Sequence, residues 1–245
     1  VNEPYYSATT ALVGVGVKRI YSEDYFAELS IGGMITDVDD AFGKRRFDLL
    51  TFSGRAELDK RDNKISATRG YYLDFRGIPY YGFSGSQSGM TLFGDGRAYL
   101  SPFGSDRIVL AGRLQIGSTV GSSLPDIPPQ FLFYSGGAGT VRGQPYQSLG
   151  IPVGTETSGG RALMAASAEL RGKITPKVTL VGFYDIGAVD IGQHVTQNSP
   201  YHSGAGLGVR YDLGGIGALR FDVGYPTSGT TGDGVQIYLG IGQAF

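Results

Sequence analysis

The sequence predicts an all-β protein, a transmembrane antiparallel β-barrel of the bacterial outer membrane, and three observations carry that reading. Apolar and polar residues alternate with a period of two in segment after segment. Glycine is the most abundant residue at 41 of 245, aromatics reach 12% and charged residues only 18%, a mixture that suits long strands joined by many turns. The connections between the alternating segments swing between short and long, the asymmetry of a barrel with tight periplasmic turns and longer extracellular loops.

Composition excludes several function classes. Lys+Arg 21 against Asp+Glu 22 leaves a net charge of -1, so no global field recruits nucleic acid. There are no cysteines, which removes disulfides, thiolate catalysis and cysteine metal sites together. The histidines are His194 and His202 alone, too few for a rich imidazole site, and neither a metal nor a cofactor is expected. No run approaches the roughly 18 apolar residues of a transmembrane helix. The start, VNEPYYSATT, has neither the basic end nor the apolar stretch of a signal peptide. The chain is therefore either soluble or crosses a membrane as a barrel.

In chain order, Ala11, Val13, Val15 and Val17 share one face of an early strand against Gly14, Gly16 and Lys18. YSED follows as a short turn, TDVDDAFGKRR as a long loop, NKISATRG as an intermediate link and GIPYYGFSGSQSGM as a second long loop. SPFGSD is short, the segment holding Arg142 is very long, KITPK is short and IGQHVTQNSPYHSG is long. Ala205, Leu207, Val209 and Tyr211 then oppose glycines and Arg210. Beyond the short LGGIG, Leu219, Phe221, Val223 and Tyr225 fall on one face, with Arg220 and Asp222 on the other. PTSGTTGDG is long, and in the last strand Val235, Ile237, Leu239 and Ile241 oppose Gln236, Tyr238, Gly240 and Gly242.

A soluble sandwich would alternate as well, with its apolar face turned inward, so alternation leaves two architectures open. Lengths separate them. The pattern yields about eleven strands of roughly 9–15 residues, as long as or longer than the tilted strands that cross a bilayer and well above the soluble mode of about 5–6. With connections alternating short and long, the barrel is expected, its short turns periplasmic. Residues 1–245 read as one barrel domain. Complete single-chain bacterial barrels have an even number of strands, so about eleven strands are expected to be the C-terminal portion of a barrel of roughly sixteen, with strands missing before Val1.

One stretch does not fit a simple strand-and-turn pattern: GTVRGQPYQSLG, residues 139–150, inside a long segment spanning 121–160. Parity places this segment on the extracellular side. Loops of this length without a strand pattern tend to be functional or disordered. Its Phe131, Phe133, Tyr134 and Tyr146, with several prolines, suit a loop that packs against something, here one folded back into the lumen.

The stretches FYSGGAGTVRGQPYQSLG, LDKRDNKISATRGYYLDF, AELRGKITPKVTLVGFYDIGAV, GAGLGVRYDLGGIGALRFDVGYPTS and IYLGIGQAF together resemble the outer-membrane assembly and translocation superfamily that includes BamA, TamA, the two-partner secretion transporters and the chloroplast import channel. The last three are most similar in wording to TamA and its relatives. The resemblance implies periplasmic POTRA domains upstream. It also implies that the loop bearing Val-Arg-Gly enters the barrel and sets its arginine against acids on the inner wall. Carried over, Val141, Arg142 and Gly143 form the loop-tip motif, Asp185 of FYDIG is the partner and Glu169 of AELR a second acid. A guanidinium confined in a lumen should find a carboxylate, where a two-pronged pair adds registry to energy. The family commonly has an aromatic directly after Val-Arg-Gly; here Gln144 stands there, and Tyr146 is the nearest candidate to take its place.

The resemblance further implies a nonenzymatic insertase or translocase, acting on unfolded outer-membrane or autotransporter clients through a lateral seam. Its partners would be the lipid bilayer, those clients and an inner-membrane-anchored, periplasm-spanning protein. The alternatives are a two-partner-secretion-type transporter and a passive pore. Gly240, Gly242 and Phe245 lie in the last strand, which would form the seam; its glycines either weaken pairing there or simply fit the wall and its curvature. Asp59, Arg61, Asp62, Asn63, Thr68, Arg69 and Gly70 sit at an inferred periplasmic turn and read as its cap. GGAGTVRG lacks the Lys-Ser/Thr of a phosphate loop. His202 and Ser203, adjacent on a strand, are poorly placed as base and nucleophile, so no enzyme is expected.

Overall fold

Alternation of this kind builds long strands, and the computed structural model, which describes residues 1–102 and 104–242, is nearly all strand. A two-residue strand β1 (Asn2–Glu3) turns into β2 (Tyr6–Ser22), followed by β3 (Tyr25–Asp40), β4 (Gly43–Asp59), β5 (Gly70–Phe83), β6 (Gly89–Leu100) and β7 (Ile108–Val120). The short β8 (Ile151–Val153) and β9 (Glu156–Ser158) form their own hairpin. The main series resumes with β10 (Ala162–Lys173), β11 (Val178–Asp190), β12 (Tyr201–Asp212), β13 (Ala218–Ser228) and β14 (Gln236–Gly242). All except β8 and β9 join one 12-stranded sheet, each pairing antiparallel with its chain neighbour and β7 pairing with β10 across the 121–161 segment. Setting aside the two-residue β1, the sheet has the expected eleven long strands. Among the described residues it is open, with β14 at one edge and the β1–β2 hairpin at the other. No helix of the described residues is long and apolar enough to cross a membrane.

The two faces of the sheet are inverted relative to a soluble protein. One face exposes its large apolar residues, among them Val13 at 80%, Leu239 at 74% and Leu207 at 73%. The other face buries polar ones, including Asp95, Thr119, Glu169, Asp185, Arg210 and Asp222. A water-soluble sheet places these the other way round; a barrel wall in lipid is apolar outward and polar inward.

Two connections differ from the sequence reading. TDVDDAFGKRR is no long loop: β3 and β4 stay paired out to Asp40 and Gly43. Asp40 Oδ1 accepts the Phe42 N–H at 2.9 Å, and Gly43 takes φ +86, which closes a tight hairpin. Likewise β5 and β6 consume most of GIPYYGFSGSQSGM, leaving only residues 84–88 between them. In both places polar residues on strands resembled loop composition. The connections 121–161, 191–200 and 229–235 remain long on one side of the sheet, against 23–24, 174–177 and 213–217 on the other, although 60–69 and 101–107 on that second side are at least as long as 229–235. The inverted faces are thus the stronger sign of a barrel.

The 121–161 segment lies on the polar face. Its Ile127, Phe131, Leu132, Leu149 and Ile151 pack with Met34, Phe47, Leu49 and Tyr80 of β3, β4 and β5, and with Leu163 of β10, forming the main apolar core. Rings fix the fit: Tyr80 stacks on Phe131 at 5.1 Å and Phe93 on Phe133 at 6.3 Å. Anchored on one wall, the segment carries residues 139–146 across to the other.

Candidate functional site

The wall that meets the tip is paved with glycine. A β-carbon on Gly224 of β13 would lie 2.6 Å from the Gly143 nitrogen, and one on Gly187 of β11 would lie 2.8 Å from Val141 Cγ2. On Gly204 of β12 it would overlap the Arg142 carbonyl outright. Only hydrogen at Gly204 and Gly224 lets the loop backbone rest on the sheet backbone, and only hydrogen at Gly187 leaves room for the Ser135 and Val141 side chains. Gly143 itself has φ +91, and a β-carbon there would meet the Tyr225 carbonyl oxygen at 2.7 Å, so both conformation and space require glycine.

Arg142 sits in this bed among three carboxylates. Its Nε donates to Asp185 Oδ2 at 2.8 Å and its Nη2 to Asp185 Oδ1 at 3.0 Å, a two-pronged pair. The Arg142 backbone N–H adds a third bond to Asp185 at 3.0 Å. Nη1 donates to Glu169 Oε1 at 2.6 Å and to Asp222 Oδ2 at 3.4 Å. The guanidinium also lies 3.7 Å from the centroid of the Phe183 ring. Alternation explains the convergence: Glu169 on β10, Asp185 on β11 and Asp222 on β13 all point inward. Their charges are shared with the wall's own arginines, since Arg171 donates to Glu169 at 2.8 Å and Arg210 pairs with Asp222.

Gln144 is fully buried in the position after Val-Arg-Gly. Its amide donates to the Ser203 carbonyl at 2.7 Å and the Ser228 carbonyl at 3.0 Å, and its oxygen accepts from Thr231 at 3.0 Å. Gln144 thus ties the tip to β12, β13 and the connection that follows β13. Tyr146 does not take the aromatic's place: it is exposed, with its hydroxyl on Glu3 Oε2 at 3.2 Å. The neighbouring strand β7, paired with β10, also holds the tip through Arg113, whose Nη1 donates to the Gly139 carbonyl at 3.1 Å while Nη2 pairs with Asp95 at 2.7 Å.

The residues 59–70 form a closed turn at the other end of the barrel wall. Arg61 holds Asp59 through two bonds of 2.8 Å. Asp62 Oδ1 accepts the N–H groups of Asn63, Thr68 and Arg69, and its Oδ2 accepts the Thr68 hydroxyl at 2.6 Å. Asn63 Oδ1 accepts from Ile65 and Ser66. Gly70 takes φ +97 against the Lys60 carbonyl, and Arg69 reaches the Gly104 carbonyl at 2.9 Å. In β14, Gly240 pairs with Arg220 and Gly242 with Ala218, the latter glycine at φ +122. Phe245 lies outside the described residues. His202 and Ser203 are both buried but engaged elsewhere: His202 with Ser135 and Thr231, Ser203 with Thr227 and Ser228. The described residues hold no group of three or more acids and histidines that could bind a metal ion.

Sequence reasoning did not single out Asp222, Arg171, Arg210, Phe183 or Tyr238. Asp222 had a signal, because the alternation of GALRFDVGY puts it on the inward face, and FDVGY echoes FYDIG. Phe183 shares Asp185's inward parity in FYDIG, but nothing in the alternation marks it as a cation–π partner.

Comparison with known proteins matches residues 4–245 to the Omp85 superfamily domain. Among solved structures, BamA from Haemophilus ducreyi lacking POTRA domains 1-3 is similar at a TM-score of 0.79 and 16% identity, over 97% of this chain and 55% of that one. CdiB from Acinetobacter baumannii is similar at a TM-score of 0.59 and 15% identity, over 97% of this chain and 43% of that one. The chain thus spans about half the length of these structures.

Proposed function

The chain belongs to the Omp85 superfamily and is a β-barrel protein of the bacterial outer membrane, and from that premise we propose that it helps insert or translocate β-barrel or autotransporter clients at a lateral seam. In this reading the 121–161 segment is an extracellular loop that enters the lumen as a plug. Its tip docks where Arg142 meets Glu169, Asp185 and Asp222, and that docking is the observation that carries the proposal. A buried ion-pair cluster is weak evidence for stability alone, since desolvation offsets much of its attraction; its best-attested use is registry or switching. A tip held in a single position suits a part that must dock and leave. The edge strand β14 would supply one side of the seam, where unpaired backbone groups can pair with a client strand. The 59–70 turn is proposed as a structural cap on the periplasmic side. An inner-membrane-anchored partner would meet that side.

The test is disulfide crosslinking of Arg142→Cys with Asp185→Cys in the full chain in outer membranes, with assembly of a co-expressed autotransporter measured before and after reduction. The expected result is efficient crosslinking, blocked assembly and recovery on reduction. Assembly that proceeds normally while the crosslink is complete would rule out a moving plug. Large conductance undiminished by locking the seam would favour a passive pore instead.

A further inference from the structure

The inward face of β14 offers Gln236, Tyr238, Gly240 and Gly242, so Tyr238 is the one large side chain it carries among the described residues. Its hydroxyl ends at the loop tip. Tyr238 Oη accepts the Gly143 N–H at 2.9 Å and donates to the Gln144 carbonyl at 3.2 Å. Both partners are backbone groups of the two residues that follow Arg142. Gly143 cannot shift while remaining docked, because it lies on the backbone of Gly224 and Tyr225. The hydroxyl therefore senses the docked position of the tip and no other.

Among the described residues β14 also has the shortest ladder of the long strands on this wall. It pairs there with β13 over seven positions, Ala218↔Gly242 to Gly224↔Gln236. By the same count β12 and β13 pair over ten, β11 and β12 over eleven, and β10 and β11 over twelve. Two of its inward positions are glycines, which have no side chain to pack. In a ladder this short, two hydrogen bonds from one hydroxyl are a substantial share of what holds the strand.

We propose that Tyr238 is a positioning residue that latches β14 to the loop tip, so that the edge strand is held while Arg142 is docked and freed when the tip withdraws. The latch rests on the proposed plug and adds the route by which the plug acts on the seam. The chain of contact is short: Asp185 fixes Arg142, the peptide after Arg142 fixes the Tyr238 hydroxyl, and the Tyr238 ring fixes β14.

The test is hydrogen exchange of the full chain in lipid nanodiscs, followed by mass spectrometry, for wild type, Tyr238→Phe, Arg142→Ala and the double variant, with client assembly measured in parallel. Tyr238→Phe keeps the ring and removes only the hydroxyl, and heat-modifiable migration on gels checks that each variant is folded. Exchange in peptides covering 236–242 should rise at least about tenfold in Tyr238→Phe, as expected for losing two ordinary hydrogen bonds from an opening equilibrium. Peptides from β10 and β11 should not change. Arg142→Ala should raise β14 exchange at least as much, and the double variant no further, because both remove the same link. If Arg142→Ala loosens β14 while Tyr238→Phe does not, the latch is wrong and the plug survives. If Tyr238→Phe loosens β14 but Arg142→Ala leaves both β14 and client assembly untouched, the plug reading fails, and the latch as a sensor of docking fails with it.

Discussion

Replacing Arg142 by alanine removes one guanidinium from three carboxylates whose side chains are 0%, 1% and 3% exposed, those of Glu169, Asp185 and Asp222. The consequences are unequal. Glu169 keeps Arg171 at 2.8 Å and Asp222 keeps Arg210, whereas Asp185 loses the guanidinium that held both of its oxygens. Breaking a buried pair by deleting one partner costs about 3–5 kcal/mol. At about 1.4 kcal/mol per factor of ten, the undocked tip should become at least a hundredfold more populated. The chain has no cysteine, so Val141→Cys, at a buried tip position, gives a single thiol whose alkylation rate reports undocking. In that background Arg142→Ala should accelerate labelling at least about a hundredfold. Arg142→Lys should fall between, keeping the charge and losing the fork. Asp185→Asn tests the assignment of the cost: in the double variant with Arg142→Ala, labelling should slow relative to Arg142→Ala alone, because the stranded charge is gone. A coupling energy below about 0.5 kcal/mol in this cycle would refute the reasoning.

Three further outcomes are expected. Gly204→Ala should undock the tip in the same labelling assay by about 1–3 kcal/mol, the usual cost of overpacking, while Gly33→Ala, where a β-carbon would meet nothing within 4 Å, should leave it unchanged. Leu239→Arg on the exposed apolar face should cost about 2–4 kcal/mol in urea titrations from lipid vesicles, as for a lipid-facing strand near the midplane, whereas a face in water would tolerate it. At the 59–70 turn, burial alone would push the Asp62 carboxyl up, but hydrogen bonds from Thr68, Arg69 and Asn63 outweigh it and hold it below the usual carboxylate range. A depressed folded pKa stabilises fully above the unfolded value of about 3.9 and is lost as pH falls through the lower folded value. Pepsin should therefore nick the turn increasingly as pH drops below about 4, and Asp62→Asn should be nicked at every pH tested across that window.

The strands were readable because each one writes its two faces in alternate letters, as in Val235 to Gly242, and pairing with chain neighbours follows from short connections. The hairpins at 41–42 and 84–88 were not, because Asp37, Asp39, Lys44 and Arg46 continue a ladder with residues that elsewhere mark loops. The arginine in GTVRGQPYQSLG could be read as a cation in need of an acid, and parity narrows the acids to inward positions. What parity cannot supply is distance across the lumen. Arg113 reaching Gly139 from β7, Phe183 under the guanidinium and Tyr238 on the Gly143 amide all depend on where the loop crosses, which no local pattern encodes.

The glycines beneath the tip carry a consequence for anyone scanning this chain by substitution. Gly187, Gly204 and Gly224 would score as sensitive positions beside Arg142, though none donates, accepts or ionises anything through a side chain. Such a map would tempt its reader toward missing chemistry at a place whose whole contribution is vacancy. The mirror image is useful: methyl groups added there one at a time make a graded set of wedges. They push the loop away from the wall while every charged residue of the site is kept.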